Sequence, residues 1–527
     1  MCLPQPTSCA TSTPVPERRD HPMKVPRATG DISSLLTQAR AQALDQGRAL
    51  LVVQSEPAPS LDPLACLEAL THASATDPWL AAHIAAGRMF WSRPSDRFAI
   101  AAIGAAATFS PAGPDRFNAV DREWSALVNS AVVSDAGRGI PGVGPLLMGG
   151  FAFDADGPHS VHWHSFPSAH LSVPRIQLTS VGDECWITVS AIVGQDGEPD
   201  MDAESLSRLR NSAIAAAHHL PSTAEYSTAS QDAPTTRLAF SDQRTNSHWR
   251  EMVGDAVGEI ERGQLEKVVI ARAVRTSSST ELDPFAIVRE LQSVFQNAFV
   301  FGCWRGQAAF VGASPERLVR LDGRAVQVSS LAGTTTRGAT RDEDTAAGQR
   351  LLASAKDRLE HTLVRDFVVS ALADVCDGIT ASSEPALLAL PHVYHLHTEI
   401  RARLGTGYSL LNIIERLHPT PAVGGSPRDA ALRFIREREN LDRGWYSGPI
   451  GWIGAESGEF AVALRSAVVS GTEALLFAGC GIVADSSPEQ ELAESELKLR
   501  SMKSAIAASI AGVPNAHFAG SAELGFR

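Results

Sequence analysis

Three charged residues near the C-terminal end of the chain have a spacing that places them on one helical face. Glu491, Glu494 and Lys498 lie at positions i, i+3 and i+7, so a helix would bring their side chains together. Such a face can hold a cation through its carboxylates, or it can be a solvated surface with an intrahelical Glu–Lys pair. The sequence of this segment alone leaves both interpretations open.

A second pair of carboxylates has the same spacing. Asp357 and Glu360 lie at i and i+3 in the segment KDRLEH, which also has a helical pattern. Two helices that each present two carboxylates can converge on one hard cation. Mg²⁺ suits such a site, because it binds one or two protein carboxylates, keeps several waters and takes further ligands from its substrate. Spacing along the chain does not establish that the two helices meet.

A lysine within an apolar strand pattern is a candidate general base. In the segment EKVVIARAV, Lys267 would share one face of a strand with Val269, Ala271 and Ala273. A lysine held among small apolar side chains can have a lowered pKa and accept a proton. A lysine at the end of a strand can also extend into water without any chemical role.

Two further segments carry residues suited to acid chemistry and to anion binding. Glu316 follows a predicted strand at a turn in ASPER, a position where a lone glutamate is usually exposed. Gly479 and Gly481 flank Cys480 in AGCGIV. Glycines permit close backbone approach, so their N–H groups can hold an anion. Tight strand packing explains the same two glycines equally well.

The elements that would position these residues are clearest in the second half of the chain. Asp283-Pro284 is typical of a helix cap and first turn, and Asp322-Gly323 is typical of a hairpin turn. Residues 298–330 and 445–480 each have the pattern of an antiparallel meander. In the first half, residues 121–134 are predicted to form an amphipathic helix. Mixed antiparallel strands and helices predict an α+β protein.

The composition of the chain argues against several classes of protein. The chain has 527 residues and a formal net charge of −13, which argues against non-specific binding to nucleic acid or to anionic membranes. No apolar run approaches the ~20 residues of a membrane helix. The seven cysteines are scattered and form no CxxC pair, so neither a disulfide framework nor a zinc site is predicted. We expect a cytoplasmic protein.

The distribution of polar and apolar residues divides the chain into five parts. Residues 1–25 are rich in Pro, Ser and Thr and are expected to form a disordered lead. Residues 221–238 are polar and lack periodicity, so a linker or surface loop is predicted there. Residues 26–220 and 239–510 would form the N-terminal half and the catalytic region. Residues 511–527 would form a C-terminal tail.

Taken in order, segments between residues 246 and 508 resemble the chorismate-utilising enzyme family. This family includes isochorismate synthases, salicylate synthases, anthranilate synthase large subunits and aminodeoxychorismate synthases. The segments that carry the resemblance are EKVVIARAV, GASPERLV, LAGTTTRG, KDRLEHTLV, PHVYHLHTEI, LHPTPAVGGSP, WYSGPIGW, ALRSAVV, FAGCGIV and SSPEQELAESELKL. The resemblance implies one large α+β domain of two stacked antiparallel sheets flanked by helices, with interleaved halves and a buried site.

The resemblance also implies a role for each carboxylate. Glu360 and Glu494 would hold Mg²⁺ directly, and Asp357 and Glu491 would hold it through water. The metal would in turn hold the ring carboxylate of chorismate.

The remaining implied roles concern the substrate. Arg465 and Tyr446 would bind the enolpyruvyl carboxylate, because the planar fork of arginine matches a carboxylate. His395 would lie near the leaving group and Thr334 beside the ring. The complete set of implied substrate-binding residues is Thr334, His395, Tyr446, Arg465, Gly479, Gly481 and Lys498.

Two positions favour water as the nucleophile. Within the resemblance, Lys267 corresponds to the base that deprotonates water for attack at C2, and Glu316 to the acid that protonates the departing C4 hydroxyl. Ala332 stands where aminodeoxychorismate synthases carry a nucleophilic lysine. We therefore expect an isochorismate synthase, which would act as a monomer on chorismate without a glutamine amidotransferase subunit.

Two alternatives remain. A salicylate synthase uses the same lysine and then eliminates pyruvate, although the segment LHPTPA is more similar to isochorismate synthases. A non-catalytic chorismate-binding protein is disfavoured by the complete set of Lys267, Glu316, Glu360 and Glu494. Either menaquinone or siderophore synthesis could use the isochorismate.

Overall fold

The computed structural model describes residues 27–28, 30–157, 159–218, 238–389 and 393–511. The predicted disordered lead, residues 1–25, lies outside the described residues. So does the predicted linker, apart from residue 238, and the predicted tail, apart from residue 511.

The described part of the chain contains many short strands. In chain order they are β1 Arg27–Ala28, β2 Leu50–Ala58, β3 Arg88–Arg93, β4 Phe98–Phe109, β5 Val132–Ser134, β6 Leu146–Phe151, β7 Ala169–Val181, β8 Glu184–Val193, β9 Ala239–Asp242, β10 Lys267–Ser277, β11 Phe299–Arg305, β12 Ala308–Ser314, β13 Arg317–Asp322, β14 Ala325–Thr336, β15 Cys376–Ala381, β16 Ala386–Ala389, β17 Val393–Leu404, β18 Gly425–Ser426, β19 Pro449–Gly454, β20 Ser457–Val462, β21 Ser466–Ser470 and β22 Glu473–Ile482.

Helices occur throughout the same residues. They are α1 Ile32–Gln46, α2 Pro63–Ser74, α3 Pro78–Ile84, α4 Arg116–Val128, α5 Ala203–His218, α6 Asn246–Glu261, α7 Pro284–Val294, α8 Arg341–Ala353, α9 Ala355–Ala373, α10 Leu410–Leu417, α11 Arg428–Phe434 and α12 Pro488–Ala511. Within the described ranges, none of these helices combines the length and the apolar character needed to cross a bilayer.

Most of the strands form two antiparallel sheets that are joined through β7. One sheet runs from β7 through β4, β3, β11, β12, β21 and β22 to β10. The other runs from β7 through β6, β19, β20, β13 and β14 to β17. Strands from the two halves of the chain pair directly, as in β3 with β11 and β6 with β19. The two halves are therefore interleaved within one fold.

An aromatic layer lies between the two sheets. It includes Trp91, Phe301 and Phe310 from the first sheet and Trp452 from the second. Two further apolar cores lie beneath the helices: α1, α2, α7 and α12 contribute to one, and α4, α6, α9 and α10 to the other. This arrangement confirms the predicted α+β fold of two stacked antiparallel sheets flanked by helices.

The helix cap and the hairpin turn that the sequence predicts are both present in the structure. The Asp283 carboxylate accepts a hydrogen bond from the N–H of Phe285 at 2.8 Å, as expected of a cap for α7. Gly323 has a φ of 56° in the hairpin turn between β13 and β14, where its lack of a side chain avoids strain.

The helix predicted over residues 121–134 has different boundaries. Helix α4 covers Arg116–Val128, and residues 132–134 form β5. The buried apolar residues of α4 start at Phe117 and continue through Val120 and Trp124, so its apolar period begins before Asp121. The β-branched pair Val132-Val133 instead joins a parallel pairing with β2.

Candidate active site

One cavity brings together all of the predicted site residues except Asp357 and Glu491. Both sheets contribute to its walls, and helices α9 and α12 close one side. The predicted residues that line it are Lys267, Glu316, Thr334, Glu360, His395, Tyr446, Arg465, Gly479, Gly481, Glu494 and Lys498. Asp357 and Glu491 lie on the same two helices, three residues before Glu360 and Glu494, respectively.

Lys267 enters this cavity from the first residue of β10. It shares a strand face with Ala271 and Ala273, which belong to the core between the sheets, as its position in the strand predicts. Its side chain is 1% exposed, and its Nζ lies 2.7 Å from Oε1 of Glu360. The interpretation of Lys267 as a strand-end lysine that extends into water is therefore wrong.

The glycines of β22 allow this pairing. Val269 of β10 lies opposite Gly481, so the backbone of β22 passes beside Lys267. A Cβ at Gly481 would lie 2.8 Å from Cε of Lys267 and closer still to the Glu360 carboxylate. At Gly479 it would lie 3.0 Å from the Tyr446 hydroxyl. Both positions thus lack a side chain because other side chains occupy the space. Binding of an anion by their N–H groups stays a prediction.

Glu316 lies in the loop between β12 and β13 and is buried, contrary to the usual exposure of such a residue. Its backbone is fixed: its N–H donates to Oγ of Ser314 at 3.2 Å, and its carbonyl accepts from the N–H of Val462 at 3.1 Å. Burial raises the pKa of Glu316 to about 8, although the positive charges of Lys267 and Lys498 act against this rise. The carboxyl group is therefore suited to donate a proton near neutral pH.

His395 and Thr334 lie opposite each other on β17 and β14, next to an irregularity at Gly333. The Thr334 hydroxyl lies 3.0 Å from Nδ1 of His395, and Nδ1 is 3.2 Å from the Gly333 carbonyl. A carbonyl only accepts, so Nδ1 carries the proton and donates it. Burial, together with the charges of Arg465 and Lys498, lowers the pKa of His395 to about 3. The ring is neutral, and its Nε2 is left as an acceptor without a protein partner in the described structure.

Three residues form the cationic and phenolic side of the cavity. Arg465 has a φ of 49°, a left-handed conformation that costs energy outside glycine, and its carbonyl accepts from the N–H of Ala313 at 3.2 Å. Lys498 donates to the Gly479 carbonyl at 2.9 Å and pairs with Glu494 at 2.7 Å. The Tyr446 hydroxyl lies 3.0 Å from the position that a Cβ at Gly479 would occupy. An arginine, a lysine and a phenol facing one cavity can bind a carboxylate.

The four predicted metal ligands come from α9 and α12. Carboxylate oxygens of Glu491 and Glu494 lie within 4.8 Å of each other and of the Cys480 sulfur. Asp357 accepts a hydrogen bond from the Ser354 hydroxyl at the start of α9. Burial and the neighbouring carboxylates raise the pKa values of Asp357 and Glu491. This mutual repulsion marks a site that a cation would stabilise.

The donor set fits a hard cation such as Mg²⁺. Its members are carboxylates, the ligand type that Mg²⁺ prefers. The Cys480 thiol is not a competing ligand for such a cation, because burial raises its pKa well above the usual value and its Sγ–H donates to the Glu491 carbonyl at 3.2 Å. Glu360 is held by Lys267, so its oxygens are already turned towards the cavity.

Several residues near the site were not predicted. Lys356 pairs with Glu491 at 3.1 Å across α9 and α12. Ser447, Leu464 and Phe477 also line the cavity. The first two are direct neighbours of Tyr446 and Arg465, so adjacency was an available signal. The position of Phe477 follows from the alternation of β22, which places it on the same face as Gly479.

A larger surface depression elsewhere contains none of the predicted residues. It is bordered by Asp154, Arg436 and Asp442. The three charged groups named here already have partners: Arg436 donates to both oxygens of Asp154 at 2.6 and 2.7 Å. Asp442 accepts from the backbone N–H groups of His159 and Ser160. The smaller cavity, rather than this depression, gathers the groups suited to catalysis.

Comparison with known proteins gives consistent matches along the chain. The family model described as chorismate binding enzyme matches residues 37–507. The chain is 37% identical over 470 residues to the salicylate biosynthesis isochorismate synthase of Pseudomonas aeruginosa, covering 89% of this chain and 92% of that protein. It is 33% identical to the isochorismate synthase MenF of Bacillus subtilis, covering 88% and 95% of the two chains.

Solved structures share the fold. The menaquinone-specific isochorismate synthase MenF from Escherichia coli matches with a TM-score of 0.66 and 24% identity, covering 90% of this chain and 100% of that one. Anthranilate synthase component I from Streptococcus pneumoniae matches with a TM-score of 0.60 and 20% identity, covering 77% and 92%. The family match over residues 37–507, the identity to curated relatives along nearly their whole length, and the shared fold agree: the chain belongs to the chorismate-binding enzyme family.

Proposed function

We propose that the protein is an isochorismate synthase, which converts chorismate to isochorismate by attack of water at C2 and loss of the C4 hydroxyl. The observation that carries this proposal is the placement of two buried groups on one cavity. Lys267 offers an amine as base, and Glu316 offers a carboxyl group whose pKa of about 8 suits an acid. The similarity to proteins named isochorismate synthases supports the same reaction.

The proposed proton transfers balance. The Lys267 amine accepts a proton from water as the water oxygen forms a bond to C2. The ring double bonds shift, and the bond between C4 and its hydroxyl breaks. Glu316 donates its proton to the departing hydroxyl, which leaves as water. The reaction therefore consumes one water and releases one, and the lysine and glutamate return to their starting states by exchanging one proton with solvent.

The carboxylates of chorismate would be bound at two ends of the cavity. Arg465 is held in a fixed backbone geometry and would form charge-assisted hydrogen bonds to the enolpyruvyl carboxylate, with Tyr446 beside it. The neutral His395 would accept a hydrogen bond at Nε2 from a hydroxyl of the ring. These contacts would orient C2 towards the water that Lys267 activates.

Mg²⁺ is the cofactor we propose. Glu360 and Glu494 line the cavity and would hold the ion directly, while Asp357 and Glu491 lie behind them and would hold it through water. When bound, the ion would neutralise and orient the ring carboxylate of the substrate. Glu360→Gln or Glu494→Gln should therefore remove most Mg²⁺-dependent turnover, because each change deletes one anionic ligand.

The decisive assay is incubation of the purified protein with chorismate and Mg²⁺, followed by chromatography of the products. The proposal predicts isochorismate as the product. Salicylate together with pyruvate would instead identify a salicylate synthase. Unchanged chorismate would favour a non-catalytic chorismate-binding protein and would contradict the proposal.

Lys267→Ala tests the assigned base within that assay. Removal of a positioned proton-transfer group typically costs roughly 10²–10⁴-fold in kcat. Chorismate binding should weaken far less, because Arg465 and the carboxylate cluster remain. A matched control is Lys503→Ala, because Lys503 pairs with Glu496 on the outer part of α12 and does not line the cavity. A Lys267→Ala enzyme with near wild-type kcat would refute the role of Lys267.

The biological setting is a further part of the proposal. We propose that the enzyme acts in the cytoplasm and needs no amidotransferase subunit, because its nucleophile is water and not ammonia. Isochorismate can enter menaquinone or siderophore synthesis. Rescue of a strain that lacks isochorismate synthase, scored separately for menaquinone and for siderophore production, would separate the two.

A further inference from the structure

Three carboxylates of the proposed metal cluster are each paired with a lysine. The pairs involve one lysine from β10, one from α9 and one from α12, and their nitrogen–oxygen distances lie between 2.7 and 3.1 Å. The pairs are Glu360 with Lys267, Glu491 with Lys356, and Glu494 with Lys498.

Lys356 differs from the other two lysines. Lys267 and Lys498 line the cavity and have roles in the proposed reaction, whereas Lys356 does not line it. It lies in the first turn of α9, directly before Asp357, and its side chain is 31% exposed. Its partner Glu491 is 3% exposed and lies on α12. The pair therefore joins the two helices behind the cavity.

We infer that Lys356 competes with the metal ion for the outer carboxylate, Glu491. By pairing with Glu491, Lys356 weakens Mg²⁺ binding. The inference rests on the proposed function, because it concerns the cation of that same site. A cation that approaches Glu491 through water meets an ammonium group 3.1 Å from the same carboxylate. The two positive charges repel each other, so binding of one weakens binding of the other.

The charges of the cluster make this competition strong. The four carboxylates carry a formal charge of −4, and Lys356 and Lys498 together carry +2, so these two lysines offset half of that charge whether or not Lys267 is protonated. The same ammonium group stabilises Glu491 while no metal is bound, because a buried carboxylate without a partner is costly. Lys356 thus has two effects: it stabilises the metal-free protein, and it lowers the affinity of the protein for Mg²⁺.

The test is Lys356→Gln, which removes the charge and keeps a polar side chain of similar length. Mn²⁺ serves as the probe, and its binding to the purified full-length protein is followed by electron paramagnetic resonance without chorismate. We expect the dissociation constant for Mn²⁺ to fall by roughly tenfold, the scale of one removed repulsive charge in a partly solvated site. The melting temperature in a chelator should fall by a few degrees, and saturating Mn²⁺ should restore it.

Two matched variants separate competition from other effects. Lys503→Gln removes a lysine that pairs with Glu496 at 2.9 Å, away from the carboxylate cluster, and should change neither quantity. Lys356→Arg keeps the positive charge, so its Mn²⁺ affinity should stay within about twofold of wild type.

A third comparison applies even where Lys356→Gln alone is too unstable to purify. Glu491→Gln and the double variant Lys356→Gln/Glu491→Gln should bind Mn²⁺ with similar affinity, because the carboxylate over which the two cations compete is absent from both. The double variant also leaves no unpaired buried charge. Tenfold tighter binding by the double variant would overturn the assignment to Glu491.

The possible results distinguish this inference from the proposed function. Saturable Mn²⁺ binding to wild type with an equal or weaker affinity in Lys356→Gln would overturn the inference and leave the isochorismate synthase proposal intact. Absence of a saturable site in wild type would overturn both the metal assignment and the inference. Product formation from chorismate, measured separately, decides whether the reaction itself is correct.

Discussion

Glu316 is 4% exposed in the loop between β12 and β13, and its chemistry follows from that burial. An exposed glutamate titrates near pH 4 and is ionised at neutral pH. Removal from water raises the pKa of Glu316 to about 8, although Lys267 and Lys498 favour the charged form. The neutral carboxyl group can then supply a proton to a leaving hydroxyl, which an exposed glutamate could not do efficiently at pH 7.

This pKa predicts the alkaline limb of the rate profile. Glu316 must be protonated to act as an acid, so kcat/KM should fall as the pH rises through about 8, by up to tenfold per pH unit. Glu316→Gln should lower kcat by roughly 10²–10⁴-fold and remove this limb. Steady-state kinetics from pH 6 to 10 at saturating Mg²⁺ tests both expectations. A Glu316→Gln variant that retains the wild-type profile would show that another group titrates.

At the residue scale, the sequence indicates residue types and their spacing but not which side chains become partners. The i, i+3 spacing of Asp357 with Glu360 correctly placed both on α9. It contained nothing about Lys356 and Glu491, which lie 135 positions apart and meet only because the fold brings α9 and α12 together. The local sequence did not indicate the burial of Glu316 either, because its turn resembles any exposed connection between strands. The prediction that these residues share one site came from the family resemblance and not from their spacing.

At the element scale, the site depends on how closely β22 approaches helix α9. Gly481 lies opposite Val269, and Glu360 of α9 reaches over it to Lys267. The missing side chain at position 481 allows the Glu360 carboxylate and the Lys267 amine to meet beside the strand backbone. The strand–helix distance is therefore set by a glycine in an ordinary extended strand and not by an unusual backbone conformation.

Gly481→Ala should consequently damage the site more than the fold. The added Cβ would lie 2.8 Å from Cε of Lys267 and would also collide with the Glu360 carboxylate, so the ion pair must move. Overpacking typically costs about 1–3 kcal/mol of stability, while displacement of a reacting group by about 1 Å can cost roughly 10²-fold in rate. We expect kcat/KM to fall by about that factor with the protein still folded.

The matched control for this change is Gly254→Ala in helix α6. A Cβ at Gly254 would meet no atom within 4 Å, and alanine favours a helix by about 1 kcal/mol over glycine. Activity should be unchanged and the melting temperature unchanged or raised. Equal activities in the Gly481→Ala and wild-type enzymes would show that the pair of Lys267 and Glu360 is not needed for turnover.

Elements were predictable where local chemistry fixes them. The Asp283 cap and the Gly323 turn depend on a few neighbouring atoms, and the structure has both. The predicted boundaries of helix α4 are wrong because the apolar residues of the helix and the β-branched pair of β5 form one continuous polarity pattern. Its true end depends on β5 pairing with β2, a contact across about 80 residues that no local signal encodes.

At the scale of the whole molecule, the two halves of the chain build each other's sheets. Strand β3 pairs with β11 over a separation of about 200 residues, and β6 pairs with β19 over about 300. Composition and periodicity predict strands but not partners at such distances, because register is set by the finished fold. Interleaving was expected only from the family resemblance. Because the halves are interleaved, the stability of each half depends on the other.

His418 lies at one of the contacts between the halves. It is 2% exposed, and its Nε2–H donates to the Phe153 carbonyl at 2.9 Å. The rings of Phe117 and Phe153 pack against it at centroid distances of 6.2 and 5.8 Å. Burial, followed by the positive charge of Arg116, lowers the pKa of His418 to about 3. The folded protein therefore keeps this histidine neutral, whereas the unfolded chain protonates it near pH 6.5.

The depressed pKa of His418 predicts acid-sensitive stability of the whole fold. Because the folded pKa is below the unfolded one, the unfolded state binds the extra proton as pH falls. The contribution is complete above pH 6.5 and is lost progressively towards pH 3, by up to about 1.4 kcal/mol per pH unit. His418→Gln lacks this titration, so its deficit relative to wild type should be largest at pH 7.5 and should shrink between pH 6.5 and 5. Denaturant unfolding at several pH values measures this difference, with the exposed His159→Gln as a control that should run parallel to wild type. Parallel stability curves for wild type and His418→Gln would mean that His418 does not contribute to the acid sensitivity of the interleaved fold.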